Sequence, residues 1–234
     1  IFNGYNCIRS IKLHENITYL GIRSFYDCSM LHSISLPNSI NTINKEAFSN
    51  CSSLTLVNLP ESLISIKSFA FYNCTSLAQI KIPQSVKEIE SWSFAGCSSL
   101  ISINIPDNIE MIPEGFLSDC SKLKTVKFSV NSKSIGNKAF YNCSKLTHIK
   151  LPSSIIQIGD QSFEGCSSIN SIIIPNSVNS IGNRAFKKCI TLKSVEIKST
   201  FLSTIENETF ADALNLIDII VPSCVTIIKD GAFS

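Results

Sequence analysis

Residues 135–155 read IGNKAFYNCSKLTHIKLPSSI, and residues 181–201 read IGNRAFKKCITLKSVEIKSTF. The two stretches align without a gap, and the cysteines give the period that relates them. Cys28, Cys51, Cys74, Cys97, Cys120, Cys143, Cys166 and Cys189 follow one another at intervals of 23 residues without exception. Seven of the eight prolines share a second slot: Pro37, Pro60, Pro83, Pro106, Pro152, Pro175 and Pro222. A third slot holds Phe2, Phe25, Phe48, Phe71, Phe94, Phe140, Phe163, Phe186, Phe210 and Phe233, with Leu117 standing in once. A period this regular means that equivalent side chains stack in rows, each coil burying an apolar face that it cannot bury alone. The expectation is one solenoid domain over residues 1–234, of about ten coils.

Within a unit, L-x-x-I-x-I ends in strict alternation, as in Leu100, Ile103 and Ile105, which predicts a short strand with one face inward. Successive coils then build a parallel sheet. Proline follows, where its missing N–H ends the ladder, and Ser39, Ser62, Ser85 or Asn108 can close a turn with its side chain. The return path carries a slot of Asp27, Asn50, Asn73, Gly96, Asp119, Asn142 and Gly165, three residue types that tolerate the left-handed conformation. A short helical or 3₁₀ segment capped at that point is predicted.

The cadence "IPxSVxxIGxxAFxxCxxL" resembles the BspA-like leucine-rich repeats found in surface antigens of bacteria and of protozoan parasites, and the resemblance runs from Phe2 to Phe233. It implies an α/β solenoid, a right-handed superhelix with its parallel sheet on the concave face and short helical or 3₁₀ turns on the convex side. It also implies a protein-binding or adhesive module. The pattern departs in places. Phe186 and Phe210 are 24 residues apart, so one residue is inserted around "STFLSTI", and the cysteine row passes to Ala213. Tyr5 takes the cysteine slot near the start, which leaves Cys7 and Cys224 out of the row, and Ser129 and Lys198 replace the proline. The last coil stops in mid-repeat without a polar cap, so the solenoid ends are expected to continue into more chain or another subunit.

Composition narrows the function. Hydrophobic residues make up 44% of the 234, enough for a sizeable core, whereas charged residues make up 16% with a net charge of +2. Such a balance lacks the basic footprint of a nucleic-acid binder. No apolar run approaches the ~18 to 20 residues that cross a bilayer, so direct membrane insertion is not expected. The eight row cysteines point inward among Leu and Phe as small buried hydrophobes, although neighbouring coils lie close enough for bridges on distance alone. A straight row with no C-x₂-C pair does not converge on a metal ion. His14, His32 and His148 occupy three different slots, and no phosphate-loop, zinc-protease or nucleophile-elbow motif occurs. Neither a catalytic site nor a cofactor site is expected.

Binding is the natural work of a long solenoid surface. The outward strand positions form a polar strip with a basic centre, in which Gln79, Lys81, Asn104, Lys127, His148 and Lys150 are the candidate contacts to an acidic protein partner. The alternative is a solvated face kept hydrophilic against aggregation. A second candidate lies two residues before the buried Phe, where Phe69 and Trp92 interrupt a polar slot one coil apart. They form either an exposed aromatic anchor or a pair stacked on each other. Two functions fit: a non-enzymatic adhesin-like module at the cell surface or secreted, and an intracellular scaffold built into a larger cytoskeletal assembly. The sequons at Asn16, Asn50, Asn73, Asn142 and Asn207 suit the first, although three of them are by-products of the repeat.

Overall fold

The computed structural model describes residues 2–234, which form a β-solenoid of stacked coils. Its first set of parallel strands comes from the L-x-x-I-x-I segment, as Ser10–Lys12, Ser33–Ser35 and Leu56–Asn58. Their partners lie one period on, Ser10 opposite Ser33 and Ser33 opposite Leu56. Ser102–Asn104 pairs with Thr125–Lys127, and Ser171–Ile174 with Ser194–Ile197 and then Asp218–Ile220. In these strands the residues flanking the central aliphatic one face outward, while Ile34, Val57, Ile103, Ile172 and Val195 are buried. Alternation over three or four residues was enough to set that orientation.

A second row of strands is absent from the sequence expectation. Two-residue strands end in the second Ile of the I-x-x-I segment, buried in every coil but the last, for example Thr42–Ile43, Ser65–Ile66 and Glu88–Ile89 in one sheet. Met111–Ile112, Ser134–Ile135, Gln157–Ile158 and Ser180–Ile181 form the next, and Thr204–Ile205 pairs with Ile227–Ile228.

The predicted helical or 3₁₀ turns do not form; no helix occurs among the described residues, so the fold is a β-solenoid rather than α/β. The reason lies in how the return path divides its N–H groups. Those of Arg23, Phe25 and Asp27 donate forward to the carbonyls of Lys45, Ala47 and Ser49 in the next coil, at 2.8–3.0 Å. The intervening N–H groups of Ser24, Tyr26 and Cys28 close tight turns onto Gly21, Arg23 and Phe25, each at 3.2 Å. A helix keeps every such bond within its own coil, and here half of them hold two coils together. The alternation needs two left-handed residues per coil. One is the expected Asp/Asn/Gly slot, with Asn50 at φ 61° and Gly96 at φ 74°. The other is two residues before the Phe slot, and includes Arg23, Glu46, Phe69, Trp92 and Lys138 at φ 54–60°.

The core is a column of rings. Phe2, Phe25, Phe48, Phe71 and Phe94 stack face to face with centroids 5.1–5.4 Å apart. Phe140, Phe163, Phe186, Phe210 and Phe233 stack likewise at 5.1–5.6 Å. Between them Leu117 breaks the column, and two aromatics fill the space edge-on. Phe116 meets Phe94 and Phe128 meets Phe140, each pair 5.7 Å apart. Offset and edge-to-face contacts of this kind add about 0.5–1.5 kcal/mol beyond burial.

All eight row cysteines are buried and all ten cysteines are free. Each row thiol does more than fill space. Cys51 donates its S–H to the carbonyl of Phe25 at 3.0 Å, Cys74 to Phe48 at 3.1 Å and Cys97 to Phe71 at 3.2 Å, and the pattern holds from Cys28 to Cys189. The Phe carbonyl already accepts the N–H of the cysteine in its own coil, so the thiol from the next coil occupies its second lone pair. The Ser/Asn slot after proline makes a parallel rung, with Ser39 on Ile17 O at 2.6 Å and Ser85 on Leu63 O at 2.7 Å. The inserted residue falls where expected. Ser199 takes the N–H groups of Phe201 and Leu202 at 3.0 Å, which lets Phe201 bulge outward while Leu202 returns to the core.

Candidate interaction surface

The strip of outward strand residues is exposed along its length, including Gln79, Lys81, Asn104, Lys127, His148 and Lys150. The pairing register sets Asn104 beside Lys127, and a single bridge sets Thr125 beside His148. His148 Nδ1 lies 2.9 Å from Thr147 Oγ1. Lys81 is tied to Glu61, Nζ to Oε1 2.7 Å, so its charge is largely met within the molecule. Lys127 and Lys150 have no ion-pair partner among the described residues, and they form the basic centre of the strip.

The strip is interrupted twice. No strand forms at residues 80–82 or 149–151, and the otherwise inward Ile80 and Ile149 are only partly buried there. Both interruptions open clefts beside a strip lysine. The one at Lys81 is about 240 Å³, lined by Glu61, Ile80, Ile82, Gln84 and Asn104. The one at Lys150 is about 390 Å³. Nothing in the sequence marks these breaks, because Ile80 and Ile149 are the same residue type as Ile34 and Ile103.

Phe69 and Trp92 are half-buried and stack on each other, centroids 6.4 Å apart and planes within 6°. Tyr72 packs edge-on against Phe69 at 5.5 Å. The far face of the indole covers Gly115, where an added Cβ would lie 2.2 Å from the ring. Both faces of Trp92 are therefore engaged within the chain, which leaves its edge to solvent.

Several of the remaining charges pair from coil to coil, as Arg23 with Glu46 at 2.6 Å and Lys133 with Glu110 at 2.7 Å. Arg184 and Lys187 hydrogen-bond Glu208 and hold its carboxyl down to about 2. Of the sequon asparagines, Asn73, Asn142 and Asn207 donate their side-chain amides to Asn50, Asp119 and Asn183, at 3.3, 3.0 and 3.0 Å. Asn50 donates to the Tyr26 hydroxyl at 3.4 Å. Asn16 is exposed and makes no such bond. His14, His32 and His148 are exposed and separate, and among the described residues no three His, Cys, Asp or Glu side chains gather to hold a metal ion. No helix among them is long and apolar enough to cross a membrane.

A family model described as BspA type leucine rich repeat region, in six copies, matches residues 1–124, 41–169 and 133–234. Among solved structures, a leucine-rich repeat protein from Bacteroides ovatus is 28% identical with a TM-score of 0.84. The alignment takes in 99% of this chain and 65% of that one, so the chain spans about two thirds of that relative's length. A leucine rich cell surface protein from Faecalibacterium prausnitzii is 25% identical, with a TM-score of 0.60 over 97% of this chain and 79% of the other. The T. pallidum leucine rich repeat protein is 26% identical, with a TM-score of 0.53 over 79% and 78%. No curated protein matches significantly.

Proposed function

Because the chain belongs to the BspA-type leucine-rich repeat family, we propose that it is a non-enzymatic protein-binding module of a surface protein, engaging an acidic protein partner through its outward strand strip. The observation that carries this reading is the pair of exposed lysines, Lys127 and Lys150, that have no ion-pair partner among the described residues and stand near the centre of the largely polar outward strip. Charge of this kind steers encounter and selects partners more than it adds affinity. The surface location rests on the relative from Faecalibacterium prausnitzii, which is described as a cell surface protein. Phe69 and Trp92 offer a second contact zone, weaker because their ring faces are spent on each other and on Gly115.

The test is retention of bead-coupled chain on intact cells and on immobilised extracellular proteins. A variant carrying Lys81→Glu, Lys127→Glu and Lys150→Glu is expected to lose retention, and raised salt to weaken that of the native chain. Trp92→Ala is expected to leave it intact. Equal retention by the triple variant would overturn the strip, and loss with Trp92→Ala alone would move the contact to the aromatic pair.

A further inference from the structure

The two clefts in the strip differ in one respect that bears on what they bind. At Lys81 the chain supplies its own carboxylate, Glu61, at 2.7 Å. Three periods on, the residue equivalent to Glu61 is Val130, which stands 72% exposed. The lysine equivalent to Lys81 is Lys150, and it has no ion-pair partner among the described residues. One cleft is therefore neutralised internally, and its counterpart lacks the carboxylate in the same geometric frame.

The second cleft is also the larger and the more apolar. Its floor is Leu151, buried, and Ile149, partly buried, with Pro175 beside them. Ile173 forms a lip at 51% exposure. Lys150 and Lys198 stand at the rim, and Lys198 reaches Glu196 at 3.4 Å, which leaves Lys150 as the free charge. Its volume of about 390 Å³ lies at the small end of ligand sites and suits one or two side chains rather than a whole ligand.

We infer that the cleft at Lys150 is the anchor point of the strip, taking a segment of a partner protein in which an aliphatic or aromatic side chain adjoins an Asp or Glu. The apolar side chain enters over Ile149 and Leu151 against Ile173, and the carboxylate meets Lys150 as Glu61 meets Lys81. Exclusion of water by the apolar group strengthens the adjoining ion pair. The inference rests on the strip reading and narrows it to one site and one kind of ligand.

The test uses the full chain with isoleucine methyl groups labelled for NMR, titrated with an acetylated Asp-Leu-Asp-Leu-Glu peptide and its Lys-Leu-Lys-Leu-Lys counterpart. The acidic peptide is expected to shift the Ile149 and Ile173 methyls saturably, and the basic one to leave them unmoved. Lys150→Glu and Val130→Glu should each weaken binding by about fivefold, the second by installing the missing internal carboxylate. Both positions are exposed, so the fold serves as its own control through the unchanged core methyls. Equal binding by the Val130→Glu variant, or equal response to the basic peptide, would overturn the inference. Shifts confined to the methyl of Ile103, beside the Lys127 strand, would also overturn it while leaving the strip reading standing. Absence of any shift would overturn the anchor alone, since retention on cells tests the strip separately.

Discussion

Ser93 and Ser162 bury their hydroxyls with no hydrogen-bond partner, in the slot that Ala47, Ala70, Ala139 and Ala185 fill in other coils. An unpaired buried hydroxyl costs about 1–3 kcal/mol, and removing it restores the residue that this position accepts elsewhere. Ser93→Ala is therefore expected to stabilise the chain by about 1 kcal/mol, read as a higher urea midpoint at unchanged slope. An unchanged or lower midpoint would mean that the hydroxyl finds a partner in solution. The row cysteines show the other side of residue-scale reading. Their burial was legible in the sequence because eight identical residues at one period have to share one environment. Their S–H bonds to the Phe carbonyls were not, since nothing in the spacing says where the main-chain oxygens of the preceding coil point.

The same limit acts on the elements. Strands with three alternating positions left a readable pattern, whereas two-residue strands such as Ser134–Ile135 are too short for a period of two to show. On the return path the Asp/Asn/Gly slot announced one left-handed residue, but the second such slot holds Arg23, Glu46, Phe69, Trp92 and Lys138, whose composition carries no such signal. Those residues are held at positive φ by bonds to the next coil, a tertiary cause that local propensity does not record. The strain is measurable. Lys188 lies exposed at φ 58° in the slot that Gly96 and Gly165 occupy elsewhere. Lys188→Gly should stabilise by about 0.5–1 kcal/mol, because relief of the left-handed penalty exceeds the added freedom of the unfolded glycine. A loss of stability in thermal denaturation would show that the lysine stem packs more strongly than its exposure indicates. The two cleft-forming breaks were illegible for a related reason: Ile80 and Ile149 match their neighbours in kind, and only the pairing of whole coils separates them.

For the molecule as a whole, the thiol ladder sets an alkaline limit. Burial pushes the row thiols up, Cys97 to about 12, with Cys74, Cys120, Cys143 and Cys166 also raised. Once unfolded they ionise near pH 8.5, so above that value the unfolded chain holds fewer protons than the folded one, and stability falls as pH rises. Each thiol then loses about 1.4 kcal/mol per pH unit, and the row acts together, against a total of about 5–15 kcal/mol for a typical domain. Cooperative loss of the β circular dichroism signal is expected near about pH 10 under reducing conditions, with full stability below about pH 8. A melting temperature that stays level across that range would show that the buried row is open to solvent.

The in-register stacking has a consequence for how such a gene can change. A crossover between equivalent points of two coils, such as Cys51 and Cys74, joins a chain whose rows of rings, thiols and turn hydroxyls still meet at the same spacing. Insertions and deletions that would ruin another fold are here read out as a longer or shorter stack, provided that they come in whole periods. The unit of heritable variation is then the coil rather than the residue. Each exchange moves an intact piece of outer face, together with any cleft that it carries, to a new height in the column.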